Sequence, residues 1–233
     1  DLVACIKYGI EKTKANPLFI IGGCVIIGII LMVLNLIGNM ITKAISTAVG
    51  ITLTKLGFPN LMIMPIAVLV TLPIGFILGL VLIPFYVGYF KGIKKECEGT
   101  KAEIADIFSA MDILAPSILN YLAASVVVFI GFCCLIIPGI LLSSLPLIVL
   151  YFLANGKTEG IEAFKKALDL MLKQPLIILW SFLLGIFALA GLLLCCVGIL
   201  FTGPAANCAF YKLCDQAVSK DENQNTKDPQ IVG

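Results

Sequence analysis

The hydrophobic pattern of the chain repeats one arrangement, an amphipathic segment followed by a proline and a long apolar run. Its clearest copy is residues 160–175 (GIEAFKKALDLMLKQP), which lead directly into LIILWSFLLGIFALAGLLL. Apolar side chains recur there at helical spacing, and charged side chains occupy the opposite face. The segment is therefore predicted to be a helix on a membrane surface that turns at Pro175 into a spanning helix. The apolar face comprises Ile161, Phe164, Ala167, Leu168 and Met171.

Charge pairs support the same helix. Glu162–Lys166, Lys165–Asp169 and Asp169–Lys173 are each four residues apart. On a helix, each such pair adds a few tenths of a kcal/mol.

Two upstream segments follow the same pattern. Residues 1–16 are amphipathic, close at Asn16-Pro17 and precede a span predicted over 18–41. That span is long enough to cross a hydrocarbon core of about 30 Å. A second surface helix is predicted over 104–114, begun by the capping-box pattern Thr100-Lys-Ala-Glu103 and ended before Pro116.

The remaining runs complete three helical hairpins. Residues 42–60 are predicted as an interfacial helix, and residues 61–90 as a span interrupted by prolines. Within it, Gly75 and Gly79 have the spacing that favours close approach of a neighbouring helix. Residues 91–99 are predicted to form a charged turn. Further spans are predicted after Pro116, over 141–153 beyond a turn near Pro138-Gly139, over 176–194, and through Gly203-Pro204 to residue 212.

The composition indicates that these apolar runs lie in a lipid bilayer. Sixty per cent of the 233 residues are hydrophobic and 13% are charged, and the mean hydropathy is +1.08. A soluble domain of this size would not tolerate that surface, whereas a polytopic membrane protein requires it. The predicted fold is an all-α integral membrane helical bundle with about six transmembrane helices in three pseudo-repeated units. Residues 1–214 form its single transmembrane domain, and residues 215–233 form a polar cytoplasmic tail.

The distribution of lysine predicts the orientation. All sixteen basic residues are lysines, and only Lys43 and Lys55 fall on one side of a six-span arrangement. The other fourteen share the opposite side with every acidic residue. By the positive-inside rule, this side is cytoplasmic. The chain is therefore expected in the cell (plasma or inner) membrane as a multi-pass protein with both termini in the cytoplasm.

The absence of histidine and arginine narrows the chemistry. Without imidazole there is no histidine general base, and haem ligation and most zinc or copper sites are disfavoured. A net charge of +2 gives no reason to expect a nucleic-acid partner. No catalytic residue, cofactor or metal ligand is predicted.

Several segments in order resemble a known family. They are YGIEKTKANPLFIIG, AEIADIFSAMDIL, LIIPGILL, GIEAFKKALDLM, GILFTGP and AFYKL. The chain resembles a broad, largely uncharacterised family of prokaryotic polytopic membrane proteins, related to the membrane domain found beside glycerophosphodiester phosphodiesterases in some bacteria. This resemblance implies a multi-pass helical fold. Its motifs mark turns and helix ends and imply no reaction.

Two adjacent cysteine pairs form the first candidate site. Cys133, Cys134, Cys195 and Cys196 are predicted near the outer ends of two hairpins, where a disulfide between the pairs is conceivable in an oxidising exterior. Adjacent cysteines without histidine lack the spacing of common metal sites. The alternative is that these cysteines are ordinary small apolar residues in helix packing.

Polar residues inside the spans form the second candidate site. Asn120, Ser143, Ser144 and Asn207 would border a cavity if the segments interrupted at Pro138-Gly139 and Gly203-Pro204 formed a transport site. The alternative is that these segments only turn or kink the hairpins, and that the polar groups bond between helices. No Asp, Glu or Lys is predicted inside a span, although an ion-coupled carrier usually has one.

The charged face of residues 160–175 and the preceding turn form the third candidate site. Its lysines are Lys157, Lys165, Lys166 and Lys173. They are predicted to contact anionic headgroups, with packing of the surface helices against the spans as the alternative.

Three functions remain open at this point. The first is a non-enzymatic accessory or membrane-organising component that contacts membrane lipids and either other membrane subunits or itself. The second is a small transporter or permeation pathway for a neutral or lipid-like substrate. The third is a lipid-modifying membrane enzyme, for which no nucleophile and base occur at suggestive spacing.

Overall fold

The computed structural model describes residues 2–134, 139–140, 142–157, 159–193 and 198–227, and every regular element among them is helical. Two short 3-10 turns, Ile104–Phe108 and Met111–Ile113, lie between the fourth and fifth α-helices. The α-helices are α1 (Leu2–Ala15), α2 (Pro17–Lys55), α3 (Asn60–Val81), α4 (Ile83–Cys97), α5 (Leu114–Cys134), α6 (Leu145–Ala154), α7 (Glu162–Lys173), α8 (Leu176–Leu193) and α9 (Ile199–Lys227).

The chain divides into two compact units. One comprises residues 1–25 together with 84–233, and the other comprises residues 26–83. The smaller unit contains most of α2 and all of α3, and it exposes many large apolar side chains, such as Met32, Met64 and Leu69. All candidate site residues that the structure describes belong to the larger unit.

The predicted turn at Asn16-Pro17 is confirmed. Asn16 lies between α1 and α2, and its side-chain oxygen accepts a hydrogen bond from the Phe19 N–H at 3.3 Å. This is the usual role of asparagine at a helix N-cap, and Pro17 fits the first helical position because no N–H is needed there.

The helix predicted over 42–60 is present as far as Lys55, but it is not a separate element, because α2 continues into it without a break. No proline interrupts this stretch, and the Thr52 and Thr54 hydroxyls bond back to carbonyls four residues earlier in the same helix. The helix ends only where Gly57 adopts a φ of 78° ahead of Pro59.

The span predicted over 61–90 is divided at Leu82. Pro65 and Pro73 lie inside α3, whereas Pro84 lies in the first turn of α4, which begins at Ile83, where its missing N–H is not needed. The charged turn predicted over 91–99 is also wrong for most of its length. The α4 helix runs to Cys97, and its end is followed by Gly99 with a φ of 83°.

The second surface helix is not an α-helix. The 3-10 turn Ile104–Phe108 begins with a capping box formed by Glu103 and Asp106, three residues after the predicted start. Ile107 is fully buried, whereas Ile104, Phe108, Met111 and Leu114 are exposed. The α5 helix already begins at Leu114, so Pro116 lies in its first turn, where its missing N–H is not needed.

The second hairpin is described only in part. Pro138 lies outside the described residues, but Gly139 is buried, and a Cβ built on it would overlap the Phe132 ring of α5. The described α6 has 10 residues and is therefore about 15 Å long, half of a hydrocarbon core. The span predicted over 141–153 is accordingly not seen in the described residues.

The last helix extends beyond its apolar run. The α9 helix continues through Lys212 to Lys227, so the predicted boundary at residue 215 falls inside it. Its inner half meets α1 closely. A Cβ built on Gly9 would overlap the Ala205 carbonyl oxygen and lie 3.0 Å from the Ala209 nitrogen. Farther along, the Cys5 thiol donates to Gln216 Oε1 at 3.5 Å.

Candidate functional site

The turn between α7 and α8 is the best-formed part of the predicted site. The Gln174 N–H bonds to the Leu170 carbonyl and ends α7, and Pro175 cannot continue the helix. The α8 helix then begins at Leu176, and the two helices are bent by 101°. The predicted amphipathic helix and its turn at Pro175 are both present.

The α7 helix turns an apolar face inward. Its buried residues are Ala163, Ala167, Leu170 and Met171, which shifts the buried stripe slightly from the predicted one. Phe164 and Leu168 are half-buried beside it. Two of the three predicted charge pairs form on the outer face, Glu162–Lys166 at 2.9 Å and Asp169–Lys173 at 2.8 Å.

The polar half of α9 meets this bend. The Gln174 side-chain amide donates to the Ala217 carbonyl at 2.7 Å. Lys173 donates to Asp221 at 3.3 Å, in addition to its pair with Asp169. These contacts hold residues 216–221 of α9 against the point where α7 ends and α8 begins.

A cavity of about 320 Å³ lies between these elements. Two lysines and two side-chain amides contribute polar groups, namely Lys173, Lys220, Gln174 and Gln216. Apolar groups come from the first turns of α8, including Leu176 and Trp180. The cavity therefore combines cationic and amide donors with an apolar wall.

The two lysines of the cavity differ in their pairing. The hydrogen bond to Asp169 is the main cause that raises the pKa of Lys173, with Asp221 adding to the effect. Lys173 is thus charged at neutral pH, and its charge is largely offset by two carboxylates. Lys220 is exposed and has no ion-pair or hydrogen-bond partner among the described residues.

The other predicted lysines lie next to this cavity. Lys157 and Lys166 border a second cavity of about 230 Å³, together with Asp169, Asp221 and Glu222. Both positive and negative side chains therefore line it. Lys165 is exposed on α7. The structure thus brings Lys157, Lys166 and Lys173 to one region of α7 and α9.

The four predicted cavity groups are not brought together. Asn120 is fully buried, donates to the Pro116 and Gly160 carbonyls and accepts from the Phe164 N–H, each at 2.8 Å. It therefore ties α5 to the start of α7. The Asn207 amide lies 3.9 Å from the Cys24 sulfur.

Ser143 and Ser144 lie elsewhere. They border a mainly apolar cavity of about 320 Å³ between α6 and α8, together with Ser181. Ser143 and Ser181 direct their hydroxyls to backbone carbonyls of the chain, Ile140 and Ile177, each at 2.6 Å.

The cysteine pairs are described only in part. Cys133 is an exposed free thiol. The side chain of Cys134 and the residues Cys195 and Cys196 lie outside the described part of the chain. Within the described ranges, no group of three or more His, Cys, Asp or Glu side chains is placed to hold a metal ion.

Sequence reasoning missed a buried carboxylate. Glu96 accepts hydrogen bonds from the Asn16 side chain at 2.6 Å and from the Ala102 N–H at 2.7 Å. Lys12 donates to the Glu96 carbonyl oxygen. In sequence, Glu96 is one of several charges in KKECEG. Only its contact with Asn16, which is distant in sequence, distinguishes Glu96 from the neighbouring charged residues. Gln174, Trp180, Gln216 and Lys220 were also not singled out, since their cavity forms only when α9 meets the bend.

The described part of the chain is compatible with a helical membrane protein. Within its described residues the chain is all-helical. Three stretches are long and apolar enough to cross a membrane, Pro17–Lys55, Ile77–Cys97 and Ile104–Cys133. Counting the bent pair of α7 and α8 as one span gives up to four.

Comparisons of the chain with protein-family models, curated proteins and solved structures give no match. The resemblance to a prokaryotic membrane family therefore stays a prediction.

Proposed function

We propose that this chain is a multi-pass membrane protein that acts without catalysis, as an accessory or membrane-organising component. A lysine-bearing layer, formed by Lys157 and the lysines of α7 (Lys165, Lys166 and Lys173), contacts anionic lipids and partner proteins. The observation that carries this proposal is the 101° bend between the amphipathic α7 and the apolar α8. If α8 crosses the bilayer, α7 lies close to the membrane plane.

The charge on α7 suits this position. Lysines near a membrane surface attract anionic headgroups by about 1 kcal/mol each. Lys165 is exposed, and Lys166 and Lys173 extend their stems from a helix whose opposite face is buried. The paired carboxylates Glu162 and Asp169 moderate this attraction, which favours reversible contact over tight anchoring.

The topology within this proposal follows the lysine distribution. Both termini, the α7 lysines and Lys220 lie on the cytoplasmic side of the plasma membrane, opposite Lys43 and Lys55. The element order is compatible with three units, since α1 precedes α2 to α4, the 3-10 turns precede α5 and α6, and α7 precedes α8 and α9. By length and composition, the described residues contain only three or four candidate spans. The count of six spans is therefore proposed here and not observed.

The transport alternative has less support. It requires a polar cavity shared by Asn120, Ser143, Ser144 and Asn207. In the described residues, Asn120 is saturated by three backbone groups, and the two serines border a mainly apolar cavity.

Copurification from the native membrane tests the proposal. The full chain is extracted in mild detergent, and bound lipid and bound protein are identified by mass spectrometry. We expect retained anionic lipid or a defined partner, and we expect Gln at Lys157, Lys165, Lys166 and Lys173 to reduce that retention severalfold. Gln at Lys43 and Lys55 is the control and leaves it unchanged. A monomer whose lipid and partner content is the same in all three forms would contradict the proposal.

A further inference from the structure

The cavity at the bend between α7 and α8 has the composition of a lipid headgroup site. We infer that it binds the phosphate of an anionic membrane lipid, with Lys220 as the principal cation. The inference rests on the proposed function, in which this layer faces lipid, and it assigns that contact to one site.

The two lysines of the cavity differ in that Lys173 is paired with carboxylates, whereas Lys220 has no ion-pair partner among the described residues. Lys173 donates to Asp169 at 2.8 Å and to Asp221 at 3.3 Å. These pairs fix its position at the rim of the cavity. Lys220 lines the same cavity, is exposed and has no ionic partner in the part of the chain that the structure describes. Its ammonium group is therefore available to a phosphate oxygen.

The amides add a neutral donor. Gln216 uses its side-chain oxygen to accept from the Cys5 thiol at 3.5 Å. Its NH₂ group has no hydrogen-bond partner among the described residues, and it lines the cavity one helical turn before Lys220. Residues four apart on a helix lie on the same face. Gln216 and Lys220 thus offer two donors from one face of α9.

The apolar wall selects a lipid over a soluble anion. Leu176 is 62% exposed, and Trp180 lies one turn farther along the same helix. Tryptophan is typical of the membrane–water interface. An acyl chain descending from the cavity along α8 would contact Leu176 and Trp180, whereas inorganic phosphate would bring no apolar group to either.

The fluorescence of Trp180 provides the test, because it is the only tryptophan in the chain. The full chain is reconstituted in phosphatidylcholine vesicles that contain an equal fraction of either acyl-brominated phosphatidylglycerol or acyl-brominated phosphatidylcholine. Bromine quenches indole at close range, so the ratio of the two quenching constants reports enrichment of the anionic lipid at Trp180. We expect a ratio of about three to five, the effect of one lysine near a lipid surface.

Lys220→Gln should bring this ratio close to one, and Lys101→Gln is the matched control. Both lysines are exposed, and Lys101 does not line the cavity. The control should keep the ratio of the unmodified chain, and both variants should keep its thermal midpoint. A ratio of one in the unmodified chain, or an equal loss in both variants, would overturn the inference.

Two further comparisons separate the sources and the two proposals. Excess inorganic phosphate should leave quenching by brominated phosphatidylglycerol unchanged. If quenching fell to the phosphatidylcholine level, the cavity would bind a soluble anion, and the inference of a lipid ligand would be overturned. If the α7 lysines still govern copurified lipid while the Trp180 ratio is one, the cavity assignment fails and the proposed function stands. If copurified lipid is also insensitive to those lysines, both fail.

Discussion

At the scale of single residues, glycines and side-chain amides determine where the helices meet. A Cβ on Gly88 would overlap the Ile107 carbonyl, and a Cβ on Gly92 would overlap the Phe19 ring. The spacing noted in the sequence at Gly75 and Gly79 has no such role at Gly79, where a Cβ would meet nothing within 4 Å among the described residues. Small-residue spacing alone does not tell which pair a neighbour approaches, because the neighbour comes from a distant part of the chain.

Gly9 gives the sharpest test of this close packing. Gly9→Ala should destabilise the contact of α1 with α9 by about 1–3 kcal/mol, because the added methyl group overlaps backbone atoms that cannot rotate away. Unfolding of the detergent-solubilised protein, followed by circular dichroism, measures the change. Gly22→Ala is the control, since a Cβ there meets no atom of the described residues within 4 Å. Equal stability of the two variants would contradict the described contact.

Asn120 is predicted to stabilise the fold by linking α5 to the start of α7. Asn120→Ala leaves the Gly160 carbonyl and the Phe164 N–H without their partner, and it should lower the free energy of unfolding by about 2–4 kcal/mol. Asn35→Ala is the matched control, because Asn35 is exposed and, among the described residues, bonds only to the Leu31 carbonyl of its own helix. Chemical unfolding compares the two. A loss in the Asn120 variant no larger than that of the control would refute this role.

At the scale of elements, the accuracy of sequence interpretation depends on whether the signals are local. Residues 160–175 carry an amphipathic period, ion pairs at helical spacing and a proline stop. Both α7 and its bend are therefore predictable. The extension of α2 to Lys55 is harder to foresee, because a more polar stretch after an apolar span suggests a separate interfacial helix. Only the structure shows that the Thr52 and Thr54 hydroxyls bond within the same continuous helix.

The bend itself can be measured. Bioorthogonal spin labels at Lys165 and Ile186, both exposed, avoid the nine native cysteines. With a rise of 1.5 Å per residue, a bend of 101° gives a separation of about 20 Å, whereas one straight helix would give about 32 Å. Pulsed electron paramagnetic resonance distinguishes these values. A labelled pair at Leu176 and Leu189, within α8 alone, should give about 20 Å and controls for label geometry.

At the scale of the whole molecule, contacts between distant segments build the candidate site. The end of the chain appears as a solvated tail because its composition is polar. Yet Ala217 is buried, and Gln174, Lys173 and Cys5 all bond to residues 216–221. No local pattern shows that α9 reaches the bend, so the lysines of α7 are predictable as a charged face and the cavity with Lys220 and Trp180 is not.

The depth of α7 and α8 in a bilayer tests the central claim most directly. Ile186 lies about 15 Å along α8, near the middle of a hydrocarbon core of about 30 Å. With the full chain in vesicles, collisions of spin labels with oxygen and with a water-soluble nickel complex report depth. We predict that the label at Ile186 is reached by oxygen and shielded from nickel, and that the label at Lys165 lies at headgroup level and is reached by nickel. Nickel access at Ile186, or equal depth at both sites, would contradict a surface helix that turns into a span.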